Sequence, residues 1–268
     1  MVYEKFRKEV ERILEEKSKP VTWNEIKESS TKLKQKAPYH VYVQKLQGDI
    51  GLVRFKHGQR TVWALRRWFE DGKFTELLPN KVRLTILSVK STYAIAANEY
   101  WELKRIYPLE VGLHRWDVIK ADVAEFFPEE DKRPESIRLK GDGIEYVRSI
   151  ESDEERIRVA ERIAESGEFL HTDAWKGKTL GLTKPRFRCF YFYDTKCQFF
   201  CDQSVCVGHD MDIEDKGGES IEIKGDKVYF VLEVAERAHS EFIWEKKHVE
   251  WYITSVISLT DPRQRRLL

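Results

Sequence analysis

Residues 81–106, KVRLTILSVKSTYAIAANEYWELKRI, put Val82, Ile86, Val89, Tyr93, Ala96, Tyr100 and Leu103 at alternating spacings of four and three. Apolar residues recurring at this heptad spacing line one side of a helix, so the pattern predicts a long helix from Lys81 to Ile106. Leu84, Leu87, Ile95, Ala97 and Trp101 fall off that seam, as they would on a helix buried on several sides. Two arrangements satisfy the pattern: burial within the monomer, or pairing with the same helix of a second copy in a homodimer. Downstream, His114-Arg115-Trp116-Asp117 leads into a second expected helix ending at Phe127, closed by Pro128. Ser152-Asp153-Glu154-Glu155 has the form of a capping box and opens a third, with Ile157, Ala160, Ile163 and Ala164 inward and an end near Ser166-Gly167. Residues 73–168 therefore read as a helical middle segment.

On its N-terminal side the chain is basic. The first seventy residues hold 16 Lys+Arg against 9 Asp+Glu, and between Lys32 and Arg67 nine basic residues meet one acid, Asp49. The remaining 198 residues carry 31 against 37, so a near-neutral total conceals a bipolar molecule. Phe6, Val10, Ile13 and Leu14 mark one stripe of a first helix ending near Lys17. Thr22-Trp23-Asn24-Glu25 is a capping box for a short second helix with Ile26 inward. Pro38 can open a third through about Gly48, burying Val43 and Leu46 and aligning His40, Gln44 and Gln47 on a polar stripe. Leu52 to Lys56 and Thr61 to Leu65 read as strands joined by His57-Gly58-Gln59-Arg60, whose glycine permits a positive φ.

Pro20 to Ile26, then Asp49 to Arg54, then Val62 to Leu65 resemble archaeal-type winged-helix domains over residues 3–68. The resemblance implies duplex DNA binding, with the third helix in the major groove and the wing on the backbone. Lys32, Lys34, Lys36, Lys45, Lys56 and Arg60 would then neutralise phosphates, while His40, Gln44 and Gln47 would read base edges. The competing readings are a solvated basic face and a protein-binding surface. Ile137 to Val147 resembles the closing strand and helix of winged-helix regulators, which would place a second winged helix in the middle segment.

All four cysteines lie within eighteen residues: Cys189, Cys197, Cys201 and Cys206, with His209 following. Cys197, Cys201, Cys206 and His209 supply enough soft ligands for one structural zinc, Cys189 being a further candidate, though the paired C-x2-C knuckles of common zinc folds are missing. Thiols packed as small apolar groups, or disulfides, are the alternatives. Arg188 to Tyr193 and Lys196 to Phe200 read as an aromatic hairpin. Ser220 to Lys224 and Val228 to Val234 read as a strand pair about Gly225-Asp226, and Glu236 to Ile257 as a terminal helix. Asp212, Glu222 and Lys224 have the residue types of a metal-dependent nuclease site, set against an ordinary solvated strand.

With 41% hydrophobic residues, eight Trp, eleven Tyr and fourteen Phe, the chain has the composition of a folded protein. It contains neither a run of eighteen apolar residues nor a secretory stretch at Met1, so no membrane contact and a cytoplasmic location are expected. No phosphate-cradling glycine loop, Ser-His-Asp order or zinc-protease helix is present. The expected architecture is α+β: a winged-helix domain over 1–72, the helical segment over 73–168 and an α+β domain with antiparallel hairpins over 169–268. The expected function is a DNA-binding transcriptional regulator with a C-terminal sensing or dimerisation domain. A nuclease delivered to DNA and a protein-interaction module are the alternatives.

Overall fold

The computed structural model describes residues 2–131, 133, 135–171, 178–186, 189–214, 223, 225–234 and 251–261, the side chains of His40, Gln44 and Glu70 excepted. The chain divides into two compact units, one of residues 1–81 with 176–178, the other of residues 82–175 and 179–268. The expected architecture of winged-helix front, helical middle and α+β rear is overturned. Among the described residues strand outweighs helix, and the second unit contains a closed five-stranded barrel.

In the first unit, helix α1 (Tyr3–Lys17) is followed by the short strand β1 (Val21–Thr22), helices α2 (Trp23–Glu28) and α3 (His40–Asp49), strands β2 (Leu52–His57) and β3 (Arg60–Leu65), and helix α4 (Arg66–Glu70). Phe6, Val10, Ile13 and Leu14 are fully buried, and so are Ile26 and Leu46. Removing such side chains from water is worth about 1.5–3 kcal/mol each, which outweighs the modest helix propensities of these short segments. The sheet runs β1-β3-β2, and Trp23 stacks on Trp63 at 5.3 Å between ring centres. Gly58 has φ +62° in the two-residue turn between β2 and β3, the left-handed backbone that a tight hairpin demands of its first central residue.

Thr22 caps α2 in both directions: its hydroxyl accepts the Glu25 N–H at 3.3 Å, and the Glu25 carboxylate accepts the Thr22 N–H at 2.6 Å. Thr22→Ala removes one acceptor from an orphan helix N–H and should lower the unfolding free energy by about 1 kcal/mol. Urea unfolding checks this; a shift below about 0.3 kcal/mol would show that the cap is idle.

The second unit carries the corrections. Residues 81–106 form no helix but three strands, β4 (Lys81–Val89), β5 (Ala94–Asn98) and β6 (Leu103–Ile106). The homodimer seam expected on that helix disappears with it. The His114–Phe127 helix is strand β7 (Asp117–Phe126), and Ile137 to Val147, expected as part of a second winged helix, lies wholly in β8 (Ser136–Ser149). Together they close a barrel in the order β4-β5-β6-β8-β7, with β6 and β8 parallel and the other described pairs antiparallel. Such a small Greek-key barrel is the architecture of OB-folds. Three register shifts along β7–β8 and one along β4–β5 supply the curvature that closure needs.

Every residue of β5 is buried because the strand has a core on each face. Ala94 and Ala96 join the barrel interior with Leu84, Ile86, Ile119 and Ile137, while Ile95 and Ala97 face a second core beneath helix α5 (Asp153–Ile163). A strand buried on both sides does not alternate, which is why its apolar residues imitated a helix. Helix α5 lies where its capping sequence places it, with Ser152 accepting the Glu155 N–H.

Strands β9 (Leu180–Thr183), β13 (Lys227–Val234) and β14 (Trp251–Leu259) form a sheet of order β14-β13-β9. Strand β14 replaces the C-terminal part of the expected terminal helix; residues 235–250 lie outside the described ones. The partners of β13 among the described residues are β14 and β9, and of its expected partner Ser220–Lys224 only Ile223 is described. Tyr229 and Val231 of β13 face the core under α5, and Val228, Phe230 and Leu232 face a third core. That third core is covered by a sheet of β10 (Phe190–Tyr193), β11 (Lys196–Phe199) and β12 (His209–Asp212).

A buried ionic network fastens the barrel to the β14-β13-β9 sheet. Arg105 of β6 and Glu233 of β13 are both fully buried, and the Arg105 Nε donates to Glu233 Oε1 at 2.7 Å. Arg133 donates to the same oxygen at 2.9 Å and to Asp131 at 2.6 Å, while the Tyr93 hydroxyl donates to Glu233 Oε2 at 2.7 Å. Lys90 lies 3.5 Å from Glu214, which accepts from the Thr254 hydroxyl at 3.1 Å. Arg105 and Arg133 thus face Glu233 and Asp131, two charges of each sign, with the partly exposed Lys90–Glu214 pair beside them.

Candidate nucleic-acid interface and His/Cys cluster

In the first unit Lys32, Lys34 and Lys36, on the segment leading into α3, are exposed, as are Lys56 and Arg60 at the turn between β2 and β3. Helix α3 packs on β2 and buries Val43 and Leu46, leaving Tyr39 and Val41, each 57% exposed, at its solvent side. The other expected DNA contacts fare differently. Lys45 is half-buried with its ammonium 4.6 Å from the centre of the Tyr3 ring, and the Tyr3 hydroxyl donates to Asp49 at 2.6 Å. Lys45 therefore belongs to the α1–α3 packing. Gln47 is half-buried and engaged within the protein. His40 and Gln44 stand in α3, and their side chains lie outside the described ones.

The loop before α3 is anchored by a buried carboxylate. Glu9 accepts from Arg12 at 2.8 Å, from Lys32 at 2.9 Å and from Ser30 at 2.8 Å. These donors, Arg12 foremost and then Lys32, hold its carboxyl down to about 2 from the ordinary 4.5. A folded-state value below the unfolded one stabilises the fold above pH 4.5, and this contribution is lost as pH falls toward 2. The wild type should therefore lose more stability than Glu9→Gln over that window. Parallel unfolding midpoints of the two proteins across it would refute the anchoring role.

In the second unit four potential metal ligands converge. His171 ends a 3-10 turn (Gly167–His171), Cys201 and Cys206 lie on the connection from β11 to β12, and His209 opens β12. One ligand atom from each lies within 4.8 Å of all the others. His171 Nε2 is 3.1 Å from Cys201 Sγ, and the two imidazole centres are 4.7 Å apart. Cys201 and Cys206 are buried, His209 half-buried and His171 exposed. Burial, then the neighbouring His171, pulls His209 down to about 4, so its ring is neutral with a lone pair to offer; burial pushes the Cys201 thiol up to about 11. The Nε2 of His209 is buried without a hydrogen-bond partner among the described residues.

This group differs from the expected quartet by one member. Cys197 shares the inward face of β11 with Phe199, is fully buried in the third core, and has its thiol raised to about 12 by that burial. Cys189 is exposed and outside the group, and all four cysteines are free thiols. His171 was missed because thirty residues separate it from Cys201 and nothing in Leu170-His171-Thr172 resembles a ligand motif. Of the nuclease candidates, Asp212 is exposed on β12 with an oxygen 3.6 Å from the Lys196 ammonium, whereas Glu222 and Lys224 lie outside the described residues.

No protein-family model and no curated protein sequence matches the chain. Among solved structures it is similar to the tetrameric p202 HIN2 domain, at 12% identity and a TM-score of 0.31 over 66% of this chain and 93% of that one. The p204 HINb domain follows at 11% and 0.31, over 66% and 95%. A murine DNA-binding protein bound to double-stranded DNA gives 10% and 0.31, over 67% and 100%. Likenesses at this score decide neither fold nor function. Among the described residues no helix is long and apolar enough to cross a membrane.

Proposed function

We propose that this protein binds duplex DNA through its first unit. The observation that carries the reading is the exposure of Lys32, Lys34, Lys36, Lys56 and Arg60 within a segment holding a single acid. Phosphate neutralisation needs cations that reach solvent; Lys34, Lys36, Lys56 and Arg60 do so, while Lys32 shares its exposed ammonium with Glu9. Val41, exposed on α3, has the apolar surface to meet a thymine methyl group. The finer reading is a cytoplasmic regulator in which the first unit holds DNA and the second, drawn from the acidic remainder of the chain, does the sensing or recruiting. A protein-interaction module is the second reading, favoured by the same exposed cations if their partner is an acidic polypeptide.

Salt dependence separates the two. Four or five phosphate contacts predict that log K for duplex falls with log salt at a slope of roughly −4, since each contributes about −0.9. Fluorescence anisotropy of the full-length chain on a labelled duplex measures this. An absence of duplex binding at about 50 mM salt, where counterion release is most favourable, would overturn the DNA reading.

A further inference from the structure

We propose that His171, Cys201, Cys206 and His209 form a structural zinc site that staples the β11–β12 connection to the 3-10 turn at 167–171. Two thiols and two imidazoles are the donor set of a closed, tetrahedral zinc centre, and the mixture of soft sulfur and nitrogen disfavours magnesium or calcium. With Zn–S near 2.3 Å and Zn–N near 2.0 Å, neighbouring ligand atoms in such a centre stand about 3.3–3.8 Å apart. The four atoms here already lie within 4.8 Å of one another, so the ligands need close by only a fraction of their present spacing.

Independent features show that the two segments are built to meet. The Asp202 carboxylate accepts the Gly167 N–H at 2.7 Å, joining the turn that carries His171 to the loop that carries Cys201. A Cβ added at Gly167 would stand 2.4 Å from the Cys201 Cβ, so only glycine allows the turn to press this closely on the cysteine. Between Phe199 and His209 only Cys201 and Cys206 are buried, and Val205 and Val207, on either side of Cys206, are 71% and 91% exposed. A covalent-strength crosslink supplies what burial does not, as metals do in small loop-rich scaffolds. Zinc bound at the Nε2 of His209 would also give that buried, unsatisfied atom a partner.

The test uses the full chain purified without added metal and then reconstituted with zinc, with metal content read by elemental analysis and native mass spectrometry. One zinc per chain is expected in the wild type and in Cys197→Ser. His171→Ala should weaken zinc binding by more than about 100-fold, beyond the loss caused by removing an outer-shell partner. His171→Cys should retain one zinc, and its cobalt-substituted form should show stronger thiolate-to-metal absorption than the wild type, which has two thiolates. Absence of zinc from the reconstituted wild type, a Cys201–Cys206 disulfide in the purified chain, or loss of zinc by Cys197→Ser with retention by His171→Ala would each overturn the proposal. If His171→Ala is insoluble, the wild-type stoichiometry, Cys197→Ser and the cobalt spectra still decide it.

Discussion

Glu233→Ala is expected to lower the unfolding free energy of the second unit by about 3–5 kcal/mol, the cost of stranding a buried charge. Glu233 and Arg105 are fully buried, and the Glu233 carboxylate serves Arg105, Arg133 and Tyr93 together. Its removal leaves two guanidinium groups with Asp131 as their remaining ion-pair partner, Arg105 being fully buried. Most of the loss comes from that uncompensated charge, not from the absent attraction. The double variant Arg105→Met/Glu233→Leu should consequently recover much of the stability lost by Glu233→Ala, because it strands no charge on this pair. Denaturant unfolding followed by circular dichroism compares the three proteins. A loss below about 1 kcal/mol for Glu233→Ala would mean that water or a local rearrangement satisfies Arg105, and the network would not be the fastening described here.

The triple variant Lys34→Glu/Lys56→Glu/Arg60→Glu should weaken duplex binding by roughly two to three orders of magnitude near 0.1 M salt. With an exponent of about 0.9 per phosphate contact, each lost contact is worth about eightfold at that concentration relative to 1 M, and three compound to several hundredfold. The salt slope should flatten by about three. These residues are chosen because they are exposed, so reversing their charge leaves the core intact. Lys45 is the wrong probe, since it packs on Tyr3 beside Asp49 and its reversal would disturb the α1–α3 contact as well as any DNA. An unchanged affinity and slope in the triple variant would remove DNA as the partner of this surface.

Both experiments depend on knowing which side chains are exposed and which are enclosed, and the chain discloses that unevenly. Where neighbours in sequence decide, reading worked: Thr22 with Glu25, the stripe Phe6 to Leu14, Gly58 in its turn and Ser152 before α5 are each governed by contacts within a few residues. The clustering of cysteines likewise marked the segment that supplies Cys201, Cys206 and His209 to the converging group. Along residues 81–106 it failed, because β5 is sandwiched between the barrel interior and the core under α5, and two apolar faces erase the alternation that announces a strand.

The amino-acid sequence by itself determined helices α1 to α3 and the hairpin of the first unit, its excess of positive charge, helix α5 and the concentration of sulfur near residue 200, but not helix α4. Tertiary structure alone decided that the middle of the chain curls into a barrel, that Arg105 and Glu233 meet across 128 positions, and that His171 joins Cys201, Cys206 and His209 in place of Cys197. The physical reason is range: capping, turn and stripe patterns act over one or two helical turns, whereas strand pairing, charge burial and ligand convergence depend on which distant segments share an interior.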